Sequence, residues 1–132
     1  MSDGATARIL VVDDDPAVQK LVMALLTRAN MDGTSAFDAS QAAQILRKPP
    51  LPDAIVLDLM MPGISGMEFL RQMRQKDVFD DVPVVILSAI VDPEQIREGL
   101  NAGADRYLTK PYLASNLVAT LQEVIKSGRK KK

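Results

Sequence analysis

The sequence predicts an α/β domain, a doubly wound five-stranded parallel sheet with helices on both faces. Three observations predict it. Short apolar runs alternate with segments whose apolar residues recur at helical spacing. The runs Ile9–Val12, Ala54–Leu57 and Val84–Leu87 are continuous rather than alternating, as strands covered on both faces are. Five strand-then-helix units follow one another without a long gap, the arrangement that right-handed crossovers turn into a parallel sheet.

In order, Ile9–Val12 is followed by a helix with Asp15 as N-cap and Pro16 in its first turn. Val18, Leu21, Val22, Leu25 and Leu26 have the spacing of one buried face. The second strand, Thr34–Phe37, is short and polar. Asp38 or Ser40 caps the next helix, which runs to about Arg47 and is ended by the prolines of Lys48-Pro-Pro-Leu-Pro52. Ala54–Leu57 is the third strand. The turn-rich loop Met61–Gly66 leads to a helix carrying Phe69, Leu70 and Met73. Pro83 precedes the fourth strand, and Asp92-Pro93 opens a helix with Ile96 and Leu100 that Asn101-Ala-Gly103 closes. Tyr107-Leu108 is the last strand. The last helix buries Leu117, Val118, Leu121, Val124 and Ile125 and stops at Gly128.

The chain has 132 residues, one domain's length, and can build a core without staples. It contains neither Cys nor His. That excludes disulfides, thiolate or imidazole metal sites, cysteine nucleophiles, His-based triads and a phosphohistidine on this chain. No stretch nears the roughly 20 apolar residues of a membrane span, and the N-terminus lacks a signal-peptide pattern. The cytosol is the expected compartment. Net charge is −1, but Arg129–Lys132 carry four of the positive charges; without them 12 basic residues face 17 acidic ones. A body of that sign is a poor nucleic-acid surface. The basic end reads most simply as a solvated, frayed tail, or as the start of a linker.

Polar residues stand at the strand ends: Asp13 and Asp14 after the first strand, Asp58 after the third, Ser88 after the fourth and Lys110 after the fifth. In an open parallel sheet, ligands bind beyond those carboxyl ends, near the point where strand order reverses. Adjacent carboxylates repel one another and repel phosphate, and a divalent cation resolves both problems. Magnesium prefers oxygen ligands, which Asp13, Asp14 and Asp58 can supply together with a backbone carbonyl near Met60. Asp58, alone at the end of a central strand, is the best candidate nucleophile for an acyl phosphate. Lys110 would neutralise a phosphoryl oxygen and Ser88 would donate a hydrogen bond to another. Taken singly, these residues also read as helix caps, turn residues or plain surface; their ordered occurrence at four strand ends favours the joint reading.

The constellation resembles the receiver domain of two-component response regulators, of the CheY-like superfamily. Ile9-Leu-Val-Val-Asp-Asp-Asp-Pro16, Asp58-Leu-Met-Met-Pro-Gly-Ile-Ser-Gly66, Val84-Val-Ile-Leu-Ser-Ala89 and Gly103-Ala-Asp-Arg-Tyr-Leu-Thr-Lys-Pro111 carry the resemblance, over about residues 7–127. Residues 128–132 are left as tail or linker. The resemblance implies the flavodoxin-like strand order 2-1-3-4-5. It implies Asp58 as phosphoacceptor, with Asp13, Asp14 (ahead of Asp13 as direct ligand), Asp58 and the main-chain oxygen of Met60 around Mg2+. It implies Ser88 and Tyr107 as a conformational switch pair, Lys110 as the family's site lysine, and a cis Lys110–Pro111 bond. A sensor histidine kinase or histidine phosphotransfer protein would be the donor, and the domain would catalyse only its own phosphorylation and dephosphorylation. The surface of the fourth helix, last strand and last helix would then engage a downstream protein or a fused output domain, as a monomer or a phosphorylation-dependent dimer. No nucleic-acid or membrane contact through this domain is expected. If the chain is complete, its output has to come through protein–protein contact.

Three alternatives compete. Asp13-x-Asp15 also fits the nucleophile motif of haloacid-dehalogenase-like, Mg2+-dependent phosphatases, with Asp13 attacking. That family needs an acid cluster beyond the lysine, whereas only Glu123 follows Lys110, and Asp58 would have no role. A flavodoxin-like electron carrier would need a phosphate loop of hydroxyls and amides where this loop is triply acidic. A receiver-like module that binds partners without phosphorylation would not need the full acid, hydroxyl and lysine set. Met60 and Ile90, each two residues beyond a site residue, are apolar where the family commonly has polar side chains. They are expected to order the attacking water poorly and lengthen the life of the acyl phosphate.

Overall fold

The computed structural model describes residues 6–109 and 114–129. Its strands are β1 (Arg8–Val12), β2 (Asp32–Ala36), β3 (Ala54–Leu57), β4 (Val84–Ser88) and β5 (Arg106–Thr109). The helices are α1 (Pro16–Arg28), α2 (Ala39–Leu46), α3 (Gly66–Arg74), α4 (Pro93–Asn101) and α5 (Ala114–Ser127), with a 3-10 turn at Asp77–Phe79. The strands form one sheet in the order β2-β1-β3-β4-β5. All pairings are parallel. This is the expected fold and the expected order.

Side chains of successive strand residues leave opposite faces, which gives the sheet two cores. Leu10, Val12, Ile55, Leu57 and Ile86 pack with Leu46, Phe69, Leu70 and Met73 of α2 and α3. Ile9, Val11, Val56 and Val85 pack with Val22 and Leu26 of α1 and Leu117, Leu121 and Val124 of α5. The helices begin where local chemistry starts them. Asp15 Oδ1 accepts from the Ala17 amide ahead of α1. Asp38 does the same for Gln41 ahead of α2, and Ser65 for Glu68 ahead of α3. Gly128, at φ +72°, ends α5 as the sequence predicts.

Three expectations are corrected, on α1, on β2 and at the basic end. On α1, Leu21 is 59% exposed whereas Gln19 is 3% exposed. The buried stripe is centred on Gln19, Val22 and Leu26 because the Gln19 amide finds backbone acceptors under the helix. On α4, Leu100 is exposed and Ile96 half-buried, and Gly99 is the buried residue. A Cβ at 99 would lie 2.8 Å from Ile86 Cδ1, so the helix rests on β4 through its glycine and leaves its larger side chains at the rim. β2 spans Asp32–Ala36 rather than Thr34–Phe37. It is an edge strand held by its backbone register with β1, from Arg8↔Asp32 to Val12↔Ala36, so it needs no apolar run.

The third correction concerns the basic end. Gly128 turns the chain so that Arg129 folds back under the sheet. Its Nε donates to Asp105 Oδ1 at 3.0 Å. The other two nitrogens donate to the carbonyls of Asp80 and Gly103. Arg74 meets the other side of the same carboxylate, at 3.4 Å from Asp105 Oδ2. It also donates to the carbonyls of Gly103, Phe79 and Val82. Asp105 Oδ2 accepts the Val84 amide at 2.8 Å. Two guanidinium groups and one carboxylate thus tie the foot of β5 to α3, β4 and the chain beyond α5. Burial first, then the neighbouring Arg129 charge, lowers Arg74 to about 10, which leaves it charged at neutral pH.

Candidate acidic phosphoryl site

β1 and β3 are neighbours on either side of the strand-order reversal, so their carboxyl ends open on one crevice. The ladder continues one residue past each strand. The Asp13 amide donates to the Ala36 carbonyl at 3.0 Å, and the Asp58 amide to the Val12 carbonyl at 2.9 Å. Those bonds place Asp13 and Asp58 side by side and nearly fully buried, at 3% and 4% exposure. Asp14, one residue on, is exposed. Carboxylate oxygens of Asp13, Asp14 and Asp58 lie within 4.8 Å of one another.

The loops fix these side chains. Asp13 Oδ1 accepts the Asp15 amide at 2.9 Å. Asp58 Oδ1 accepts the Met60 amide at 3.3 Å. α3 starts directly against the loop that follows β3: the Gly66 amide donates to the Leu59 carbonyl at 3.0 Å, and its Cα faces the Asp58 carbonyl with no room for a side chain. An open groove of about 660 Å3 adjoins the acids. Met60, Met61 and Met67 line one part of it, and the Arg71–Glu98 ion pair between α3 and α4 lines another.

Ser88 ends β4 fully buried, and its Oγ accepts the Ile90 amide at 3.2 Å. Tyr107, paired with Ile86 across the sheet, donates its hydroxyl to the Ile90 carbonyl at 2.8 Å. Both thus hold one residue, Ile90, from its two polar ends. Burial raises the Tyr107 phenol above its usual value, opposed by the Ser88 hydroxyl and reinforced by the Asp58 charge. The ring packs over Gly99 of α4, where a Cβ would come within 3.6 Å of Tyr107 Cδ2. Lys110 and the Lys110–Pro111 bond lie outside the described residues.

The donor set suits a hard divalent cation. Two buried carboxylates and an exposed third provide oxygen ligands only, with an open side at Asp14 for water or a phosphoryl oxygen. Adjacent carboxylates repel one another, and a bound divalent cation would offset that repulsion.

The family model of the response regulator receiver domain matches residues 9–122. The chain belongs to the response regulator receiver family. The phosphate regulon transcriptional regulatory protein PhoB of Escherichia coli K12 is 37% identical over 119 residues, 90% of this receiver domain and 52% of PhoB. The transcriptional regulatory protein TrcR of Mycobacterium tuberculosis is 38% identical, over 95% of this chain and 48% of TrcR. The chain therefore spans about half the length of these relatives. Among solved structures, the Francisella response regulator 1452 receiver domain superposes with a TM-score of 0.86 at 33% identity, covering 92% of this chain and 98% of that one. The receiver domain of the sensor histidine kinase PA1611 of Pseudomonas aeruginosa superposes at 0.84 with 30% identity, covering 92% and 99%. It was solved with a magnesium ion coordinated in the active-site cleft.

In this receiver domain the sequence reading brings Asp13, Asp14 and Asp58 together as expected. The sequence gives no sign of the contacts made by Gln19 and Gly99. Gly66 is legible as a loop residue but not as the point where α3 touches the Asp58 carbonyl.

Proposed function

We propose that this receiver domain is a phosphoacceptor switch whose acceptor is Asp58. The observation that carries the reading is the cluster of Asp13, Asp14 and Asp58 at the carboxyl edge of β1 and β3. An Asp58 carboxylate oxygen attacks phosphorus of a phosphohistidine on a sensor kinase or phosphotransfer protein. The P–N bond breaks, an acyl phosphate forms, and the departing imidazole keeps the bonding electrons and is protonated. Asp13, Asp14, Asp58 and the main-chain oxygen of Met60 would hold Mg2+, which when bound neutralises the carboxylates and the transferred group. Lys110 supplies a further positive charge, and Ser88 a hydrogen bond. The Mg2+-bound receiver of PA1611 supports this assignment.

The switch follows from the shared grip on Ile90. A Ser88 hydroxyl that turns to donate to a phosphoryl oxygen changes its contact with the Ile90 amide, and Tyr107 holds the carbonyl of the same residue. The β4–α4 loop and Tyr107 then repack, and the α4-β5-α5 surface presents a different face to a downstream protein or fused output domain. The domain catalyses only its own phosphorylation and dephosphorylation. Among the described residues no helix is long and apolar enough to cross a membrane, and a cytoplasmic location fits a kinase donor. We assign residues 7–127 to the domain and residues 128–132 to its tail or linker, with Arg129 anchored to the domain.

Incubation with acetyl phosphate and magnesium should add the mass of one phosphoryl group to the unmodified protein and none to Asp58→Asn. No gain in the unmodified protein would leave only a non-phosphorylated binding module. The phosphorylated form should decay slowly, because Met60 is 62% exposed and apolar at the mouth of the site and Ile90 is apolar beside it. Timed decay should be faster in the Met60→Asn, Ile90→Glu variant; equal lifetimes would refute the role of this pair.

A further inference from the structure

One buried polar side chain has no part in the chemistry just described. Gln19 lies on the inner face of α1, 3% exposed, at a position where the helix otherwise buries Val22 and Leu26. Its Nε2 lies within hydrogen-bond distance of three carbonyls, Val11 at 2.9 Å, Asp13 at 3.1 Å and Ala36 at 2.9 Å, which share its two N–H groups. Its Oε1 is buried with no hydrogen-bond partner, alone in this among the buried side-chain atoms of the described residues. An unpartnered buried acceptor is unfavourable, and an apolar residue of similar size would avoid it. The three acceptors fix which way the amide points, since turning it over would aim oxygen at three oxygens.

We infer that Gln19 is a positioning residue for the acid pair. Its bonds close a circuit around the loop. Asp13 Oδ1 accepts the Asp15 amide, the Asp15 carbonyl accepts the Gln19 amide at 3.0 Å, and Gln19 Nε2 returns to the Asp13 carbonyl. The Asp13 amide is held by Ala36, whose carbonyl Gln19 also engages. The main chain of Asp13 is thus gripped at both its amide and its carbonyl. Asp14, placed between Asp13 and Asp15 on this circuit, inherits its direction from it. Gln19 therefore sets the mutual orientation of the carboxylates without touching a cation or a phosphoryl group.

The inference rests on the proposed magnesium role of the acid cluster, and the test separates the two. Magnesium alone is titrated into the unmodified protein, Gln19→Met and Val22→Ala by calorimetry, with thermal unfolding of each variant recorded in metal-free buffer. Outer partners that orient metal ligands typically contribute about 10- to 100-fold in affinity. Gln19→Met is expected to weaken magnesium binding by about tenfold or more. Val22→Ala, a cavity at 2% exposure one turn along the same helix, should lower the unfolding temperature and leave the affinity unchanged. Equal affinity in Gln19→Met and the unmodified protein would overturn the positioning role, as would an equal loss in Val22→Ala. No binding by the unmodified protein would overturn the magnesium reading itself. Should Gln19→Met fail to fold, the unmodified protein decides. Coupling is reciprocal, so magnesium saturation should increase exchange protection of the Gln19 side-chain amide protons. Protection unchanged by magnesium would overturn the inference.

Discussion

Gly66→Ala is expected to reduce the rate of phosphorylation by about a hundredfold and to lower stability by about 3 kcal/mol. The added methyl would overlap the carbonyl oxygen of Asp58 and lie 2.7 Å from Leu59 Cα. Both neighbours are main chain, so no side chain can rotate away. α3 or the loop after β3 has to move. α3 is fixed on its other side by Phe69, Leu70 and Met73 in the core, so much of the displacement falls on residue 58. Overpacking in a tight interior costs about 1–3 kcal/mol, and a backbone neighbour puts this site at the upper end. Misplacing a reacting group by about 1 Å can cost about a hundredfold in rate. Urea unfolding and a mass-resolved time course with acetyl phosphate measure the two effects. A variant of unchanged stability and unchanged rate would show that the close approach is not needed.

Asp105→Ala is expected to destabilise the domain by about 3–5 kcal/mol, the usual cost of removing one partner from a buried charge cluster. Side-chain exposures of 8% for Asp105, 10% for Arg74 and 12% for Arg129 put the cluster out of water. Removal of the carboxylate leaves two guanidinium groups facing each other without the charge that bridges them, and it orphans the Val84 amide at the start of β4. Arg129→Ala should cost less, because Asp105 keeps Arg74 and the Val84 amide. Denaturant midpoints of the two variants test the order. An Arg129→Ala loss as large as that of Asp105→Ala would place the weight of the cluster on the tail.

The sheet was legible because its central strands are continuous apolar runs and because Asp and Ser mark where those runs end. Asp13 and Asp58 could be placed side by side once the strands were ordered, since the ladder sets their positions through backbone bonds. Other features were hidden for physical reasons. Gln19 is polar, and its burial depends on three carbonyls contributed by distant elements. Leu21 has the right spacing for the core, but α1 is rotated by Gln19's bonds. Gly99 carries no hydrophobic signal, yet it is the contact that lets α4 sit on Ile86 and beneath the Tyr107 ring. β2 is an edge strand whose stability lies in pairing, which its polar sequence does not show. Arg129 sits in a run of like charges that reads as solvated, and only the turn at Gly128 brings it under β5.

The docked Arg129 also places the mechanical end of the domain. The last helix stops at Ser127, but the chain is fastened again at residue 129, beneath β5. Tension on anything attached beyond that point is borne by the Arg129 anchors, Asp105 among them, as well as by the end of α5. Asp105 stands two residues before Tyr107 on the same stretch of chain. A load applied at the tail is thus delivered to the strand that carries Tyr107, and a cut at Ser127 would remove the fastening along with the tail.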